Sequence, residues 1–369
     1  MWLSVGVFVA MPILAFTASV VSIKDIVDRE RPEFETTLKE TDFSAKSTLE
    51  PADLVRLGIE VKQDPTMGNK MEGDIATSVD EKPLSDAVRR STRNAIRQTY
   101  RRWPNGEIPY TLSSQYGSYA RSVIAKAIKE YHDKTCVRFV PRDPNRHADY
   151  VYIHPDDGCY SLVGRTGGRQ PLSLDSGCIQ VGTIVHELMH AVGFFHEQSR
   201  SDRDEYLDIV WSNVMKGADD QFEKYTNSVI DHLGEPYDFS SIMHYGPYAF
   251  SGNGKKTLQP KKGNAERMGQ RVAFSEIDLR KINRLYQCPI RQIQVNGNSV
   301  IENQCRDENW RCPFWMLYDF CSDFEEIRFI VCRQSCGQCT TTFRPSKATK
   351  PQKKMFPLRR SIIGIHFDV

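Results

Sequence analysis

Along this chain the apolar positions change their spacing from segment to segment. Met1 to Val21 is apolar throughout, with no charge before Lys24. It reads as a signal peptide over 1–22, with Ala18 and Ser22 as small residues near the cut. The Lys or Arg that normally precedes such a core is missing, and about twenty apolar residues would also suit a single membrane anchor. The cleaved signal is favoured because everything downstream looks extracellular, and no second run long enough to span a bilayer follows. Residues 23–93 show no sustained period. They are rich in charge, with Phe34 and Phe43 as the only rings, and such a segment can hardly fold alone.

Ordered-looking sequence begins near Trp103. Residues 107–112 read as a strand. Ala120, Val123, Ile124, Ala127, Ile128 and Tyr131 recur at helical spacing and predict one amphipathic helix. Val137 to Val140 and Tyr150 to Ile153 are further short strands, and Cys159 to Cys178 encloses a Gly-rich loop with an edge strand. A helix is expected from Val181 to about Phe195. Tyr206 to Val214 and Ala218 to Tyr225 read as short helical turns, and Tyr237 to Gly246 as an aromatic, turn-like stretch. Phe274-Ser275-Glu276-Ile277-Asp278 opens a last helix with a serine cap and an acidic first turn, packed through Ile277, Ile282 and Leu285 and ending near Cys288. Residues 289–304 read as a linker. No internal repeat is present.

Composition adds the compartment. Hydrophobic content of 40%, charged content of 26% and a formal charge of +2 in 369 residues are ordinary for a soluble globular protein, and so balanced a charge gives no reason to expect nucleic acid as a partner. The ten cysteines fall into a four (Cys136, Cys159, Cys178, Cys288) and a six (Cys305, Cys312, Cys321, Cys332, Cys336, Cys339). Two even blocks read as separate disulfide frameworks made in an oxidising compartment, hence a secreted, extracellular protein. The six-cysteine block, 305–339, is too short for a core without such staples. Cys336-Gly337-Gln338-Cys339 alone would suggest a redox pair, but five partners nearby favour a structural knot. The tail, 340–369, is rich in Thr, Lys and Pro and reads as a disordered basic tail. No Asn-x-Ser/Thr acceptor occurs.

The chemistry concentrates in His186-Glu187-Leu188-Met189-His190-Ala191-Val192-Gly193-Phe194-Phe195-His196. Histidines four apart stand on one helix face, close enough to share a metal ion. Glu187 projects beside that metal, and Gly193 is where the helix can stop and turn His196 round as a third ligand. Three imidazoles suit zinc, and three protein ligands leave a position open for water, which is the catalytic arrangement. The plain alternative is a core helix whose histidines only hydrogen-bond. Upstream, Arg89-Arg90-Ser91-Thr92-Arg93 sits between the charge-rich segment and the folded one, as a trypsin-like or furin-like processing site would. A solvated loop is its other reading.

The run from His186 to Glu197 resembles the zinc signature of the astacin family of metalloendopeptidases, within the metzincins. Ser241-Ile242-Met243-His244-Tyr245 resembles that family's Met-turn. The four middle cysteines, Asp202-Arg203-Asp204 and Asp278-Leu279-Arg280-Lys281-Ile282 also fit, so the likeness covers about 94–288. The resemblance implies that His186, His190 and His196 bind one Zn2+ per catalytic domain and that Glu187 is the general base on its water. It implies that Tyr245 is a swinging ligand that steadies the oxyanion and that Met243 packs beneath the metal. His244 is left structural. It implies disulfides Cys136–Cys288 and Cys159–Cys178. It implies, too, a buried mature N-terminus that meets Glu197. Cleavage is expected at Arg93–Asn94, because Asn94-Ala95-Ile96 is similar to the family's mature start; Arg101-Arg102 is an alternative scissile point. Met71-Glu72-Gly73-Asp74 is similar to the family's propeptide box, with Met for Phe, which implies that Asp74 latches the zinc in the latent form. The last cysteine block resembles a ShKT domain and implies Cys305–Cys339, Cys312–Cys332 and Cys321–Cys336. Where the channel-blocking toxins of that type carry a Lys-Tyr pair, this chain has Glu326 and Ile327, so a matrix or substrate-docking partner is the better expectation.

The expected fold is therefore α+β. A two-lobed metzincin-like domain, with a mixed sheet and long zinc helix above a mostly irregular lower lobe, is followed by a small ShKT module. The expected order is signal peptide 1–22, propeptide 23–93, catalytic domain 94–288, linker 289–304, ShKT domain 305–339 and tail. The expected function is a secreted zinc endopeptidase, made as a latent zymogen, that hydrolyses peptide bonds of extracellular proteins. It needs an activating trypsin-like or furin-like protease and no stable membrane insertion. The alternative is a catalytically inactive protease-like binding protein acting through its ShKT module.

Overall fold

The computed structural model describes residues 21–44, 49, 51–59, 64–77, 95–96, 98–225, 231–261, 265–289, 292–295 and 298–301. Residues 1–20 of the stretch read as a signal peptide, the Arg93–Asn94 bond, the six-cysteine block and the tail lie outside these residues. The chain divides into two units, Met1–Pro289 and Ile290–Val369. In the second, β9 (Gln292–Val295) and β10 (Asn298–Ile301) form an antiparallel hairpin, in the stretch read from sequence as a linker.

The first unit is organised by a mixed sheet. Its strands run in the order β1 (Glu35–Thr36), β2 (Glu107–Ser113), β4 (Tyr150–His154), β6 (Arg169–Leu174) and β5 (Cys159–Ser161), with β3 (Arg138–Pro141) also pairing β2. The β2, β3, β4 and β6 pairings are parallel; β5 is antiparallel and closes one edge. Ile108, Leu112, Val151, Ile153, Leu172 and Leu174 are all buried, as strands covered on both faces require. Helix α3 (Ser118–Lys134) follows β2 and buries the six residues whose spacing predicted it. The Tyr131 hydroxyl donates to the Val185 carbonyl at 2.7 Å and ties α3 to α4 (Val181–Val192).

For the strands and core of the first unit, sequence-based expectation differs in three places. Tyr206 to Val214 is partly a strand: β7 (Leu207–Ile209) pairs antiparallel with β8 (Leu258–Pro260), because Leu207 and Ile209 alternate toward Leu258. Cys159 to Cys178 holds two strands where one edge strand is expected: β5 closes the edge and β6 lies inside it, its period hidden by Pro171 and the polar residues beside it. The third difference is the larger one. Within the charge-rich segment Ile26, Val27, Leu38, Leu54, Ile59 and Ile75 enter the main core, and β1 extends the sheet on β2. The segment also supplies α1 (Glu40–Ser44) and α2 (Pro51–Arg56). Its sparse apolar residues are too few for a core of their own, and they fold against one instead.

A second cluster, with Leu207, Phe222, Tyr237, Phe239, Tyr245, Leu258 and Met268, forms the lower part of the unit. Helix α5 (Glu276–Leu285) begins with a capping box in which Ser275 and Asp278 bond reciprocally. Asp278 also accepts from the Ser241 hydroxyl at 2.6 Å and the Ile242 amide at 2.9 Å, so the cap of α5 pins the turn that carries Met243 and Tyr245. Disulfides join Cys136 to Cys288 and Cys159 to Cys178. Among the described residues, no helix is long and apolar enough to cross a membrane.

Candidate active site

Helix α4 is buried on every side from Gly182 to Val192, so it is a core helix that carries two histidines inward. Its start fits tightly: a Cβ on Gly182 would lie 1.7 Å from the Arg271 carbonyl oxygen. It stops at Val192, short of the expected end. Gly193 adopts φ 127° there, and the Gly193 and Phe194 amides satisfy the Met189 and His190 carbonyls. The chain then reverses and brings His196 back to the helix.

Each imidazole is aimed by its Nδ1. Those of His186 and His190 lie 2.7 Å from the Ile242 and Phe194 carbonyl oxygens. A carbonyl only accepts, so Nδ1 carries the proton and Nε2 presents a lone pair. Burial, above all, holds the His186 pKa well below 6.5, which favours this neutral form. The His196 Nδ1 faces a carboxylate instead, Glu72 Oε2 at 2.8 Å.

The Nε2 atoms converge on Asp74. His186 Nε2 lies 2.9 Å from Asp74 Oδ2, and the Nε2 atoms of His190 and His196 lie 3.3 Å from Oδ1. His186 and His196 approach one another at 3.3 Å. These four residues are fully buried, with their ligand atoms all within 4.8 Å of one another. Tetrahedral zinc, with ligands at about 2.0–2.1 Å, would hold them roughly 3.3 Å apart. Among the described residues, Asp74 Oδ1 and His190 Nε2 have no hydrogen-bond partner despite burial. Spacing, donor set and unpartnered atoms all fit zinc.

Both Glu187 carboxylate oxygens are likewise buried without a hydrogen-bond partner among the described residues. Burial, and then the Asp74 carboxylate, push the Glu187 pKa well above the usual carboxylate range. The Tyr245 ring stands 4.8 Å from that of His196, and its hydroxyl donates to the Glu72 carbonyl at 2.7 Å. Burial first, and then the Glu72 charge, raise the Tyr245 pKa and keep its proton on. Met243 is buried, and its carbonyl accepts from the Glu197 amide at 3.0 Å. His244 turns elsewhere, to the Tyr237 hydroxyl and the Tyr245 carbonyl, and burial lowers its pKa to about 4.

Asp74 reaches the histidines through a short backbone device. Glu72 and Gly73 both take left-handed conformations, at φ 49° and 86°. A Cβ at Gly73 would lie 2.8 Å from the Thr66 carbonyl oxygen, so glycine is required there. Its amide donates to Gln221 Oε1 at 2.9 Å. The next residues add to the sheet edge: the Ser161 amide donates to the Asp74 carbonyl, and the Ala76 amide to the Ser161 carbonyl, both at 2.9 Å. Glu72 is the site residue that sequence reasoning misses. It lies inside the propeptide-like box, but only the Gly-Asp pair carries a signal there.

Glu197 is fully engaged by other groups. Its Oε1 accepts from Arg200 Nη1 at 3.1 Å and the Asp238 amide at 3.0 Å, and its Oε2 accepts from Lys281. Burial would raise its pKa, but the Lys281 and Arg200 charges outweigh that and lower it. Asn94 is outside the described residues. Ala95 and Ile96 pair with Phe194 and Gly193, directly beside the third histidine's loop. Arg101 closes a short 3-10 helix, Thr99–Arg101, and its carbonyl accepts from the Arg165 amide at 2.7 Å.

The family model described as "Astacin", a family of peptidases, matches residues 95–287. The zinc metalloproteinase nas-4 of Caenorhabditis elegans is 64% identical over 305 residues, covering 80% of this chain and 96% of that protein. Zinc metalloproteinase nas-13 of the same organism is 52% identical over 373 residues, covering 85% and 82%. Among solved structures, the hatching enzyme zinc-protease high choriolytic enzyme 1 of Oryzias latipes is 42% identical, over 51% of this chain and 94% of that one, with a TM-score of 0.47.

Proposed function

This chain belongs to the astacin family of zinc metalloproteinases, and on that premise we propose that it is a secreted endopeptidase made as a latent zymogen. The observation that carries the reading is the convergence of three histidine Nε2 atoms and the Asp74 carboxylate at tetrahedral spacing beside a buried Glu187. His186, His190 and His196 hold the zinc, and Asp74 occupies the remaining position until activation. Bound zinc supplies Lewis acidity, which acidifies water and polarises the scissile carbonyl.

The protein's own groups do the rest. Glu187 takes a proton from the attacking water and passes it to the leaving amine, a role worth about 10²–10⁴-fold. Tyr245 donates its hydroxyl to the developing oxyanion, worth about 10²–10³-fold. In the latent form that hydroxyl is committed to the Glu72 carbonyl, so departure of the segment frees it. Met243 shapes the floor under the histidines. Cleavage at Arg93–Asn94 is preferred to Arg101–Arg102, since the latter bond abuts a hydrogen-bonded turn. The new terminus would then join Arg200 and Lys281 at Glu197.

The remaining assignments rest on sequence: a signal peptide over 1–22, a ShKT module over 305–339 with a matrix partner, and extracellular protein substrates. No observation favours the inactive, binding-only alternative. The deciding experiment compares parent and Glu187→Gln, both trypsin-treated, on casein, with zinc measured in each. We expect one zinc per chain in both and a loss of about 10²–10⁴-fold in kcat/KM for the variant. Parent activity that survived 1,10-phenanthroline, or a fully active Glu187→Gln, would sink this reading.

A further inference from the structure

Tyr150, Tyr152 and His154 alternate along β4 and so share one face of the sheet. None of them belongs to the site described above. The Arg142 and Arg169 guanidinium carbons lie 3.8 Å from the Tyr150 and Tyr152 ring centroids respectively, and Tyr152 stacks on His154 at 4.9 Å. The N-terminal segment pairs with the β2 edge through Glu35 and Thr36, and its glutamate side chains reach this face. Glu35 Oε1 accepts from the Tyr150 hydroxyl at 3.1 Å and from Arg169 Nε at 2.9 Å. The Tyr152 hydroxyl donates to Glu33. Carboxylates two residues apart thus meet phenols two residues apart.

The backbone contacts follow the same register. Glu35 and Thr36 pair with Ser113 and Leu112, and the Ser114 amide donates to the Phe34 carbonyl at 2.9 Å. Upstream, Arg29 Nη2 meets Asp175 Oδ1 at 2.9 Å and the Asp156 carbonyl at 3.3 Å. Phe34, between the two glutamates, is 61% exposed. The segment is therefore held here by strand pairing and charge, with its one large ring left outside.

We propose that in the processed enzyme this face is an exosite for protein substrates, one that takes an extended acidic segment. The proposal rests on the activation reading, in which cleavage at Arg93–Asn94 lets residues 29–36 leave. Their departure returns the β2 edge at Leu112–Ser114 to water, together with two phenols and the Arg169 guanidinium. A substrate segment with carboxylates at alternate positions, preceded by an arginine four residues before the first, re-forms every one of those contacts by adding a strand to the edge.

The test uses the trypsin-activated full chain, its new N-terminus read by sequencing, and two substrates with one scissile sequence. One carries the appended sequence Arg-Glu-Arg-Pro-Glu-Phe-Glu-Thr; the other has Gln in place of the two later glutamates. We expect a KM about tenfold lower for the acidic substrate at unchanged kcat, the scale of a few surface charge pairs. Arg169→Glu should erase the difference while cleaving the Gln substrate as the parent does, which also reports its folding. Arg142→Gln with Tyr150→Phe should narrow it. Equal KM values in the parent enzyme, or a difference that Arg169→Glu leaves intact, overturn the exosite alone. Sequencing that finds residues 29–36 still attached to the active enzyme overturns the activation reading and the exosite with it.

Discussion

Glu72 and Asp74, two residues apart on one turn, divide the contacts to the three histidines and Tyr245 between them. Asp74 meets all three Nε2 atoms, while Glu72 takes the His196 Nδ1 and the Tyr225 hydroxyl with its side chain and the Tyr245 hydroxyl with its carbonyl. Losing one partner of a buried charged contact is costly. In a precursor whose Arg90 and Arg93 are replaced so that it cannot be processed, Asp74→Ala should therefore raise peptide cleavage by roughly 10²-fold. Glu72 still blocks Tyr245, so activity should stay below that of the processed enzyme. A precursor that remained as silent as its parent would remove Asp74 from latency. His186, Glu187 and His190 were legible in sequence because helical spacing sets their direction, and His196 because Gly193 marks where the chain can turn back. Glu72 was not, because its direction depends on two successive left-handed residues that no periodicity announces.

At the scale of elements, α4 is the member with least room to move. Its apolar and polar positions gave its existence and its start, but its end fell three residues earlier than expected, at the turn that Gly193 makes. What the sequence could not reveal is the neighbour at Gly182. The Arg271 carbonyl lies where a Cβ would fall, at 1.7 Å, and a backbone atom cannot swing aside as a side chain can. Gly182→Ala should cost about 1–3 kcal/mol or more by overpacking. For a domain of this size that lowers the melting temperature by several degrees, roughly 2–4 °C per kcal/mol. Arg271 also donates to the Ile242 and His244 carbonyls, so the displacement should reach the Met243 turn and lower activity along with stability. A melting temperature within a degree of the parent, read by calorimetry, would show that the contact relaxes at no cost. Strand β1 is the opposite case: two residues long, it exists only through its partner, and only the folded domain supplies that partner.

For the whole molecule, the decisive links are those that close long stretches of chain. The first unit ends at Pro289, where a cysteine, the end of α5 and a change of composition come together. The burial of residues 26–75 in the same core was not legible in sequence, since their apolar residues are scattered and meet only in three dimensions. Cys136–Cys288 spans 152 residues and joins the end of α3 to the end of α5, whereas Cys159–Cys178 spans 19. By chain entropy the first should contribute about 5 kcal/mol and the second about 3 kcal/mol. Replacing both cysteines of a pair by alanine should therefore destabilise the domain by about 2 kcal/mol more at 136 and 288 than at 159 and 178. Denaturant unfolding of the two double variants measures this directly, and comparable slopes would confirm that the same surface is exposed in each. An equal or reversed order would mean that local packing of the β5 edge, where Ile75 bridges to Ser161, outweighs loop closure. In that case the shorter disulfide would act mainly by keeping the edge strand in place for whatever lies along it.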